Sequence, residues 1–191
     1  KDTSLRGKQY IDRIITLIEA FSCADTVVKR FMSQEQVLSN FLKSLKVLKD
    51  KEMRWNMVKC LKNLALDPAT FDSFVKTNGI AILIETLAER DEDISNQLIN
   101  ALYSLTLVNQ ERQNIAAQAG IVPELQHTIV TDSPLKYQAI NLMCALAHAG
   151  DVAREQLWIN DGVHFFIRML RIQGYQTNAL EALREWITED T

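Results

Sequence analysis

Three glycines recur along this chain at an almost constant interval. Gly79, Gly120 and Gly162 lie about 42 residues apart, and each separates two stretches that have apolar residues at helical spacing. A period of about 42 residues, built only from helical segments, is typical of armadillo and HEAT solenoids, in which each unit packs on the next. The sequence therefore predicts an all-α, right-handed solenoid of about four and a half repeats.

The apolar positions of the long helices set the expected repeat boundaries. Pairs at i, i+3 spacing recur at the same interval as the glycines and are predicted to be buried; they are Leu61 and Leu64, Leu102 and Leu105, Met143 and Leu146, and a final shortened copy, Leu180 and Leu183. Ser133 followed by Pro134 predicts the start of one long helix. We expect one domain over residues 1–191, with units at 1–36 (partial), 37–78, 79–119, 120–161 and 162–191 (a short cap).

Several large apolar and sulfur-containing residues lie within the apolar pattern and are interpreted as core. These are Ile18 and Phe21 in the partial first unit, the tryptophans Trp55, Trp158 and Trp186, and the cysteines Cys23, Cys60 and Cys144. The alternative for Trp55 and Trp186, which lie near predicted helix ends, is partial exposure at an interface. The cysteines are odd in number and widely spaced, which favours buried reduced thiols over disulfides or a metal site. A cytosolic or nuclear protein is therefore expected.

Charge is unevenly distributed along the chain. Positions 1–62 carry 13 Lys and Arg against 7 Asp and Glu, whereas the whole chain has a net charge of −3. Lys43, Lys46, Lys49 and Lys62 belong to this basic front, which is either a solvated helix face or a docking patch for an acidic partner. Nucleic acid is not expected as a ligand, because the lysines lack interleaved aromatic residues and the chain as a whole is acidic.

No catalytic, cofactor or metal motif is recognisable. His127, His148 and His164 lie in different repeats without a second ligand at metal-binding spacing, and the glycines never form a phosphate-binding loop. No apolar run approaches the ~18–20 residues that span a bilayer. We therefore expect no enzyme activity in this segment, no cofactor and no membrane span. An α-helical-repeat enzyme acting on nucleic acid is the remaining catalytic alternative, and the acidic second half argues against it.

Polar residues recur in columns on the last helix of each repeat, the helix that lines the concave face in armadillo arrays. Amide side chains there could bind the backbone of an extended peptide, although any amphipathic helix also has a polar face. The candidate protein-binding residues are Asn56, Lys59, Asn63, Gln97, Asn100, Tyr103, Ser104, Gln138, Asn141 and Asn178.

The last third of the chain resembles a known family. Ser133-Pro134-Leu135-Lys136-Tyr137-Gln138-Ala139, then Cys144-Ala145-Leu146-Ala147-His148-Ala149, and the ending Asn178-Ala179-Leu180-Glu181-Ala182-Leu183 have the expected order and spacing. This stretch resembles the C-terminal armadillo-like region of the septation-initiation and mitotic-exit protein kinases of fungi, whose plant relatives are the epsilon-type MAP kinase kinase kinases. Because the chain starts at Lys1 rather than Met, we expect it to be part of such a longer protein.

The resemblance implies a non-catalytic regulatory role. It implies that this region localises or regulates a cell-division kinase by binding a small Ras-like GTPase or a spindle-pole scaffold, or by self-association. The expected location is then cytoplasmic and extends to the spindle pole body. The alternative is a free-standing armadillo adaptor that binds an extended peptide.

Overall fold

The computed structural model describes residues 2–131 and 133–189, and within them the chain forms thirteen α-helices, one 3-10 turn and no strand. In chain order they are α1 (Asp2–Ser22), α2 (Thr26–Met32), α3 (Glu35–Val47), α4 (Lys51–Ala65), the 3-10 turn (Pro68–Thr70), α5 (Phe71–Lys76), α6 (Gly79–Leu87), α7 (Glu92–Thr106), α8 (Gln110–Gln118), α9 (Ile121–Val130), α10 (Lys136–Ala147), α11 (Asp151–Ile159), α12 (Gly162–Met169) and α13 (Gln176–Glu189). The all-α solenoid prediction is confirmed.

The helices are arranged in units of three. The first helices of the units are α2, α5, α8 and α11, the second helices are α3, α6, α9 and α12, and the third helices are α4, α7, α10 and α13. α1 packs as a further third helix at the front of the array. Each third helix contacts the next one, from α1 to α13, and α4, α7, α10 and α13 each contact the second helix that precedes them. We call this continuous set of five helices the third-helix row.

Carboxylate and amide side chains begin many of these helices. At the N-caps of α2, α4 and α7, an aspartate oxygen accepts a hydrogen bond from a backbone N–H in the first turn, and Asn109 does the same for α8. These bonds satisfy N–H groups that have no partner within the helix. The frequent short polar residues between the apolar stretches therefore fix where each helix starts.

The third helices share one burial pattern that recurs from unit to unit. Seven residues of α4 are buried, and the seven equivalent residues of α7, one repeat further on, are buried as well. α10 continues the pattern. The predicted pairs at Leu61, Leu102 and Met143 are fully buried together with their i+3 partners. The apolar stripe of each third helix therefore packs in the same register throughout the middle of the array.

The last third helix departs from the predicted register. Leu180 is exposed, while Ala179 and Ala182 are buried at the positions that Met143 and Leu146 occupy in α10. The interval from α10 to α13 is thus shorter than the interval between the other third helices. Gly174, in the connection before α13, has a φ of +90°, a backbone conformation that glycine adopts without steric cost. The predicted burial of Leu180 is therefore wrong.

One helix starts later than predicted. α10 begins at Lys136, not at Pro134. The Ser133 hydroxyl oxygen accepts a hydrogen bond from the Leu135 N–H at 3.2 Å and donates one to Asn96 Oδ1 at 3.2 Å. Ser133 thus caps a turn that precedes α10 and links it to α7, which delays the start of the helix.

The recurring glycines have two different structural roles. The residues with a positive φ before the second helices α6, α9 and α12 are Asn78, Gly120 and Asp161, so Gly120 supplies the left-handed turn itself. Gly79 and Gly162 lie one position later, where a Cβ atom would come within 2.7 Å of Phe74 Cδ1 and of the Leu157 carbonyl oxygen, respectively. Gly120 is therefore favoured by its backbone conformation, whereas Gly79 and Gly162 are favoured because a side chain would not fit.

Three residues predicted in the core are exposed. Trp158 is 69% exposed and Phe21 is 53% exposed, and Cys23 is also accessible. All three lie in the first or last unit of the array, where a helix lacks a neighbour on one side. Cys60 and Cys144 are buried as predicted, and Trp55 is half-buried against the core. The Trp186 side chain lies outside the described residues.

Candidate protein-binding site

The polar columns predicted from the sequence lie on α4, α7 and α10, three neighbouring members of the third-helix row. Their residues are mostly half-buried, and Asn141 is exposed. Tyr103 packs partly against the core, which leaves only part of its ring accessible. In α13 the shift of register puts Thr177, not Asn178, at the position equivalent to Asn141. The columns therefore extend from α4 to α10, and a threonine follows them in α13.

Polar side chains in the N-terminal part of the row bind a neighbouring helix. Lys59 Nζ is 2.5 Å from Glu19 Oε1 of α1 and lies 5.0 Å from the centre of the Trp55 ring. The hydrogen bond to the Glu19 carboxylate raises the pKa of Lys59, so the amine stays protonated. Asn63 Nδ2 donates to Ser22 Oγ at 3.1 Å and to Cys23 Sγ at 3.1 Å. Lys59 and Asn63 thus hold α1 against α4.

Amides in the C-terminal part of the row are free for a ligand. Asn100 Nδ2 donates to the Asn96 carbonyl within its own helix at 3.1 Å, which leaves its Oδ1 as an acceptor. Gln97, Gln138 and Asn141 form no side-chain hydrogen bond within the described part of the chain. Three amides on α7 and α10 therefore retain both donors and acceptors.

An exposed aromatic ring lies beside these amides. Tyr137 of α10 is 67% exposed, and its ring centre is 5.4 Å from that of Tyr175, at an interplanar angle of 51°. Tyr175 is itself buried and lies just before α13. Because it packs on a buried ring, Tyr137 presents a positioned aromatic surface to solvent. Tyr137 is not among the binding residues predicted from the sequence, although its position four residues before Asn141 puts both on one helix face.

The basic front is spread over separate elements. Lys43 and Lys46 lie on α3, Lys49 lies in the following loop, and Lys62 lies near the end of α4. Lys46 pairs with Glu85 of the next second helix. Lys43 and Lys49 are exposed, and Lys62 is half-buried.

A polar recess of about 250 Å³ opens between α7, α9 and the turn before α10. Its buried acid is Glu124, whose carboxylate accepts from Arg90 Nε at 3.2 Å and from Nη2 at 3.4 Å. Asn96, His127 and Ser133 are among its other polar lining residues. This recess was not predicted from the sequence, because Arg90 and Glu124 belong to different repeats and neither lies in a motif.

The side chains that can bind metals or act as nucleophiles are dispersed among the described residues. No group of three or more His, Cys, Asp or Glu side chains there could hold a metal ion. Burial raises the pKa of the Cys60 thiol to about 11 and that of Cys144 to about 12, so both stay protonated and unreactive at neutral pH. His148 Nδ1 lies 3.6 Å from Glu185 Oε1, and His164 Nδ1 lies 2.6 Å from Asp161 Oδ1. None of the helices described in the structure is long and apolar enough to cross a bilayer.

Comparisons with known proteins extend the family resemblance to almost the whole chain. A scan against protein-family models gives no match. The chain is 36% identical to the cytokinesis protein sepH of Emericella nidulans over 94% of its length, and 30% identical to MAP3K epsilon protein kinase 1 of Brassica napus over 96%. It is also 26% identical to cell division control protein 7 of Schizosaccharomyces pombe over 95%. The chain spans only 14–17% of the length of these relatives.

Solved structures support the fold. A designed armadillo repeat protein in complex with the peptide (KR)4 aligns over 93% of the chain and 76% of its own, with a TM-score of 0.74 at 14% identity. Computationally designed armadillo repeat proteins for modular peptide recognition give a TM-score of 0.76 at 15% identity, with the same coverage of both chains. The chain therefore has an armadillo-type fold, and its similarity to the three relatives confirms the resemblance seen in its last third.

Proposed function

We propose that this chain, which is homologous to one segment of the sepH and MAP3K epsilon proteins, is the non-catalytic protein-binding region of a cell-division kinase. The observation that carries the proposal is the set of free amides beside Tyr137 on α7 and α10. The partner docks on this part of the third-helix row. The resemblance favours a Ras-like GTPase or a spindle-pole scaffold as the partner, and a location in the cytoplasm and at the spindle pole body.

The chemistry of the row suits an extended segment of that partner. A glutamine or asparagine side chain has a donor and an acceptor, the same pair that a peptide group presents. Gln97, Gln138 and Asn141 therefore match successive backbone groups of an extended chain, while Tyr137 offers a ring to an apolar or cationic side chain. A designed armadillo neighbour bound to a (KR)4 peptide supports this mode of binding.

The stacked helices hold these groups in place before the partner arrives. Each third helix is fixed by the second helix before it and by its neighbours in the row. Little conformational entropy is then lost on the protein side when the partner binds. The affinity comes from a few hydrogen bonds and one aromatic contact on a rigid support.

The test is capture of candidate partners by the 191-residue chain and by variants of the row. A Ras-like GTPase, loaded with GDP or GTP, and fragments of a spindle-pole scaffold are the partners to offer. Each of Gln138→Ala and Asn141→Ala should weaken binding by about 3- to 10-fold, the effect of losing one or two hydrogen bonds. Asn40→Ala is the matched control, because Asn40 is an amide on α3, outside the row.

The outcomes separate the partner from the surface. Binding that the row variants weaken and Asn40→Ala leaves unchanged supports the proposed surface, whichever partner is captured. Equal binding by all variants would show that the row is not the interface. Capture of the GTPase in only one nucleotide state would identify a nucleotide-dependent switch.

A further inference from the structure

The helix α1 exposes a stripe of large apolar side chains. Tyr10, Ile14, Leu17 and Phe21 are 68, 40, 59 and 53% exposed. Their spacing of four, three and four residues places them on one face of the helix. Val27 and Phe31 of α2 are also exposed, at 74 and 67%, on a helix that contacts α1. We call these six side chains the front face.

The same positions are core in other third helices. α1 aligns with α4 when its buried residues Ile15 and Ser22 are matched to the buried Val58 and Ala65. In this alignment the stripe residues of α1 correspond to residues that are buried in α4: Met53, Met57, Cys60 and Leu64. In α7 the equivalents Ile94, Leu98, Ala101 and Leu105 are buried as well. The stripe therefore has the composition and the register of a core surface.

The missing neighbour can be identified by comparing the contacts. α4 and α7 each contact the following first helix or turn, the next third helix, the preceding third helix and the second helix that precedes them. α1 has the following first helix, α2, and the next third helix, α4, but the described residues include neither a second helix nor a third helix before it. A helix in the position of a second helix would cover the stripe. The second helices α3, α6 and α9 show what fits: an amphipathic helix with buried Leu and Ile about one turn apart.

Charges beside the front face favour an acidic occupant. Lys43 of α3 takes the position in its unit that Glu85 has in α6, one repeat further on. Glu85 forms an ion pair with Lys46 of the preceding second helix. By analogy, Lys43 faces the position that the second helix of a unit before α3 would occupy. Neither Lys43 nor Arg13 of α1 forms an ion pair with any described residue, and both are exposed. An acidic side chain on the covering helix would pair with Lys43 as Glu85 pairs with Lys46.

The same charges argue against a second copy of this chain. In a symmetric dimer through the front face, Arg13 and Lys43 of one copy would approach those of the other, since the same patch is used on both sides. Like charges brought together in this way are unfavourable. A helix with an acidic edge has no such conflict.

We propose that an acidic amphipathic helix from elsewhere in the natural polypeptide covers the front face and completes a further armadillo unit. The proposal rests on the proposed function, in which this chain is one segment of a longer kinase. The chain spans 14% of the length of its sepH relative, which leaves ample sequence for such a helix. Binding and release of this helix would bury or expose the front face without changing the third-helix row on α7 and α10.

Thiol labelling tests the proposal. Leu17→Cys is introduced together with Cys23→Ser, both in the 191-residue chain and in the natural full-length protein, and labelling of the introduced thiol is followed by peptide mass spectrometry. We expect labelling at least tenfold slower in the full-length protein than in the 191-residue chain. Val108→Cys is the matched control: Val108 is 90% exposed and lies between α7 and α8, so it should label equally fast in both proteins.

A charge variant gives a second, independent readout. In the full-length protein, Lys43→Glu should speed labelling at position 17 several-fold, because it removes the expected ion pair, whereas Lys49→Glu should not. Equally fast labelling at position 17 in both proteins would overturn the proposal. Slow labelling in the 191-residue chain that becomes fast on dilution would overturn it in favour of a second copy. Partner capture through Gln138 and Asn141 is measured separately, so loss of one proposal is distinguishable from loss of the other.

Discussion

Replacing Gly79 by alanine tests whether the glycine before a second helix is required by packing. The added Cβ would lie 2.7 Å from Phe74 Cδ1, 3.2 Å from the Phe74 carbonyl oxygen and 3.3 Å from Leu42 Cδ1. Phe74 is fully buried, so its ring cannot rotate into solvent. Overpacking of this kind lowers the free energy of unfolding by about 1–3 kcal/mol. Alanine also restricts the unfolded chain more than glycine does, which raises the free energy of unfolding by about 0.4–1 kcal/mol. We expect Gly79→Ala to lower the free energy of unfolding by about 1–2 kcal/mol.

The position of the ring leads to a sharper expectation for the double variant. Phe74→Ala alone should cost about 3–5 kcal/mol through the cavity that it leaves. With the ring removed, the Cβ of Gly79→Ala has space, so the double variant should be more stable than the sum of the single effects by about 1–2 kcal/mol. The chain already contains such a pair, since Ala116 and Ile121 occupy the positions of Phe74 and Gly79 in the next unit.

Urea unfolding of the four proteins measures this coupling, and Gly120→Ala provides the control. Gly120 has a φ of +87° and no atom within 4 Å of an added Cβ, so its alanine variant suffers only backbone strain of about 1–2 kcal/mol. Phe74→Ala should not relieve that strain, and the two effects should add. If Gly79→Ala costs as much in the Phe74→Ala protein as in the parent, the ring is not the reason for this glycine.

Three further measurements check other parts of the structure. Asp67 accepts hydrogen bonds from the Ala69 N–H at 3.0 Å and from Thr26 Oγ1 at 2.9 Å, and these bonds lower its pKa. The Asp67 carboxylate should therefore stabilise the fold above the ordinary carboxylate pKa of about 4, and this stabilisation should be lost as the pH falls through the lowered pKa of the folded state. Urea unfolding at pH 7 should show that Asp67→Ala lowers the free energy of unfolding by about 1 kcal/mol, and this difference should shrink toward pH 2. A thiol reagent at pH 8 should label Cys23 and spare Cys60, and labelling of Cys60 in the folded protein would contradict its burial. Trp158→Ala should change the free energy of unfolding by less than about 0.5 kcal/mol, because the side chain is largely exposed; a loss of about 3 kcal/mol or more, as for a core residue, would contradict this.

The middle of the fold could be predicted from the sequence because its units are equivalent. In α4, α7 and α10 the buried residues recur at equivalent positions, so a constant interval in the sequence becomes the same interval in burial. Leu61, Leu102 and Met143 were located on this basis. Periodicity alone is sufficient wherever every unit has a unit on each side.

The errors in predicted burial occur where that condition fails. Leu180 aligns with the buried Cys144, and Trp158 aligns with the buried Ala117. Leu180 and Trp158 are nevertheless exposed, because no described unit packs beyond α11 and α13. Phe21 is exposed for the same reason at the other end. Sequence periodicity predicts that a residue faces a neighbouring unit, but it does not predict whether that unit is present.

The sequence predicted the helix on which each candidate binding residue lies, but not whether its side chain is already engaged within the protein. Helical spacing put Lys59, Asn63, Gln138 and Asn141 on equivalent faces, and the structure places all of them on the third-helix row. Whether each is free depends on the side chain opposite it on the neighbouring helix, which lies one repeat away in the sequence. Lys59 meets Glu19 and is engaged, whereas Gln138 and Asn141 form no such bond with any described residue. A ligand should therefore bind the C-terminal part of the row, because binding at the N-terminal part would first have to break the contacts that hold α1 against α4.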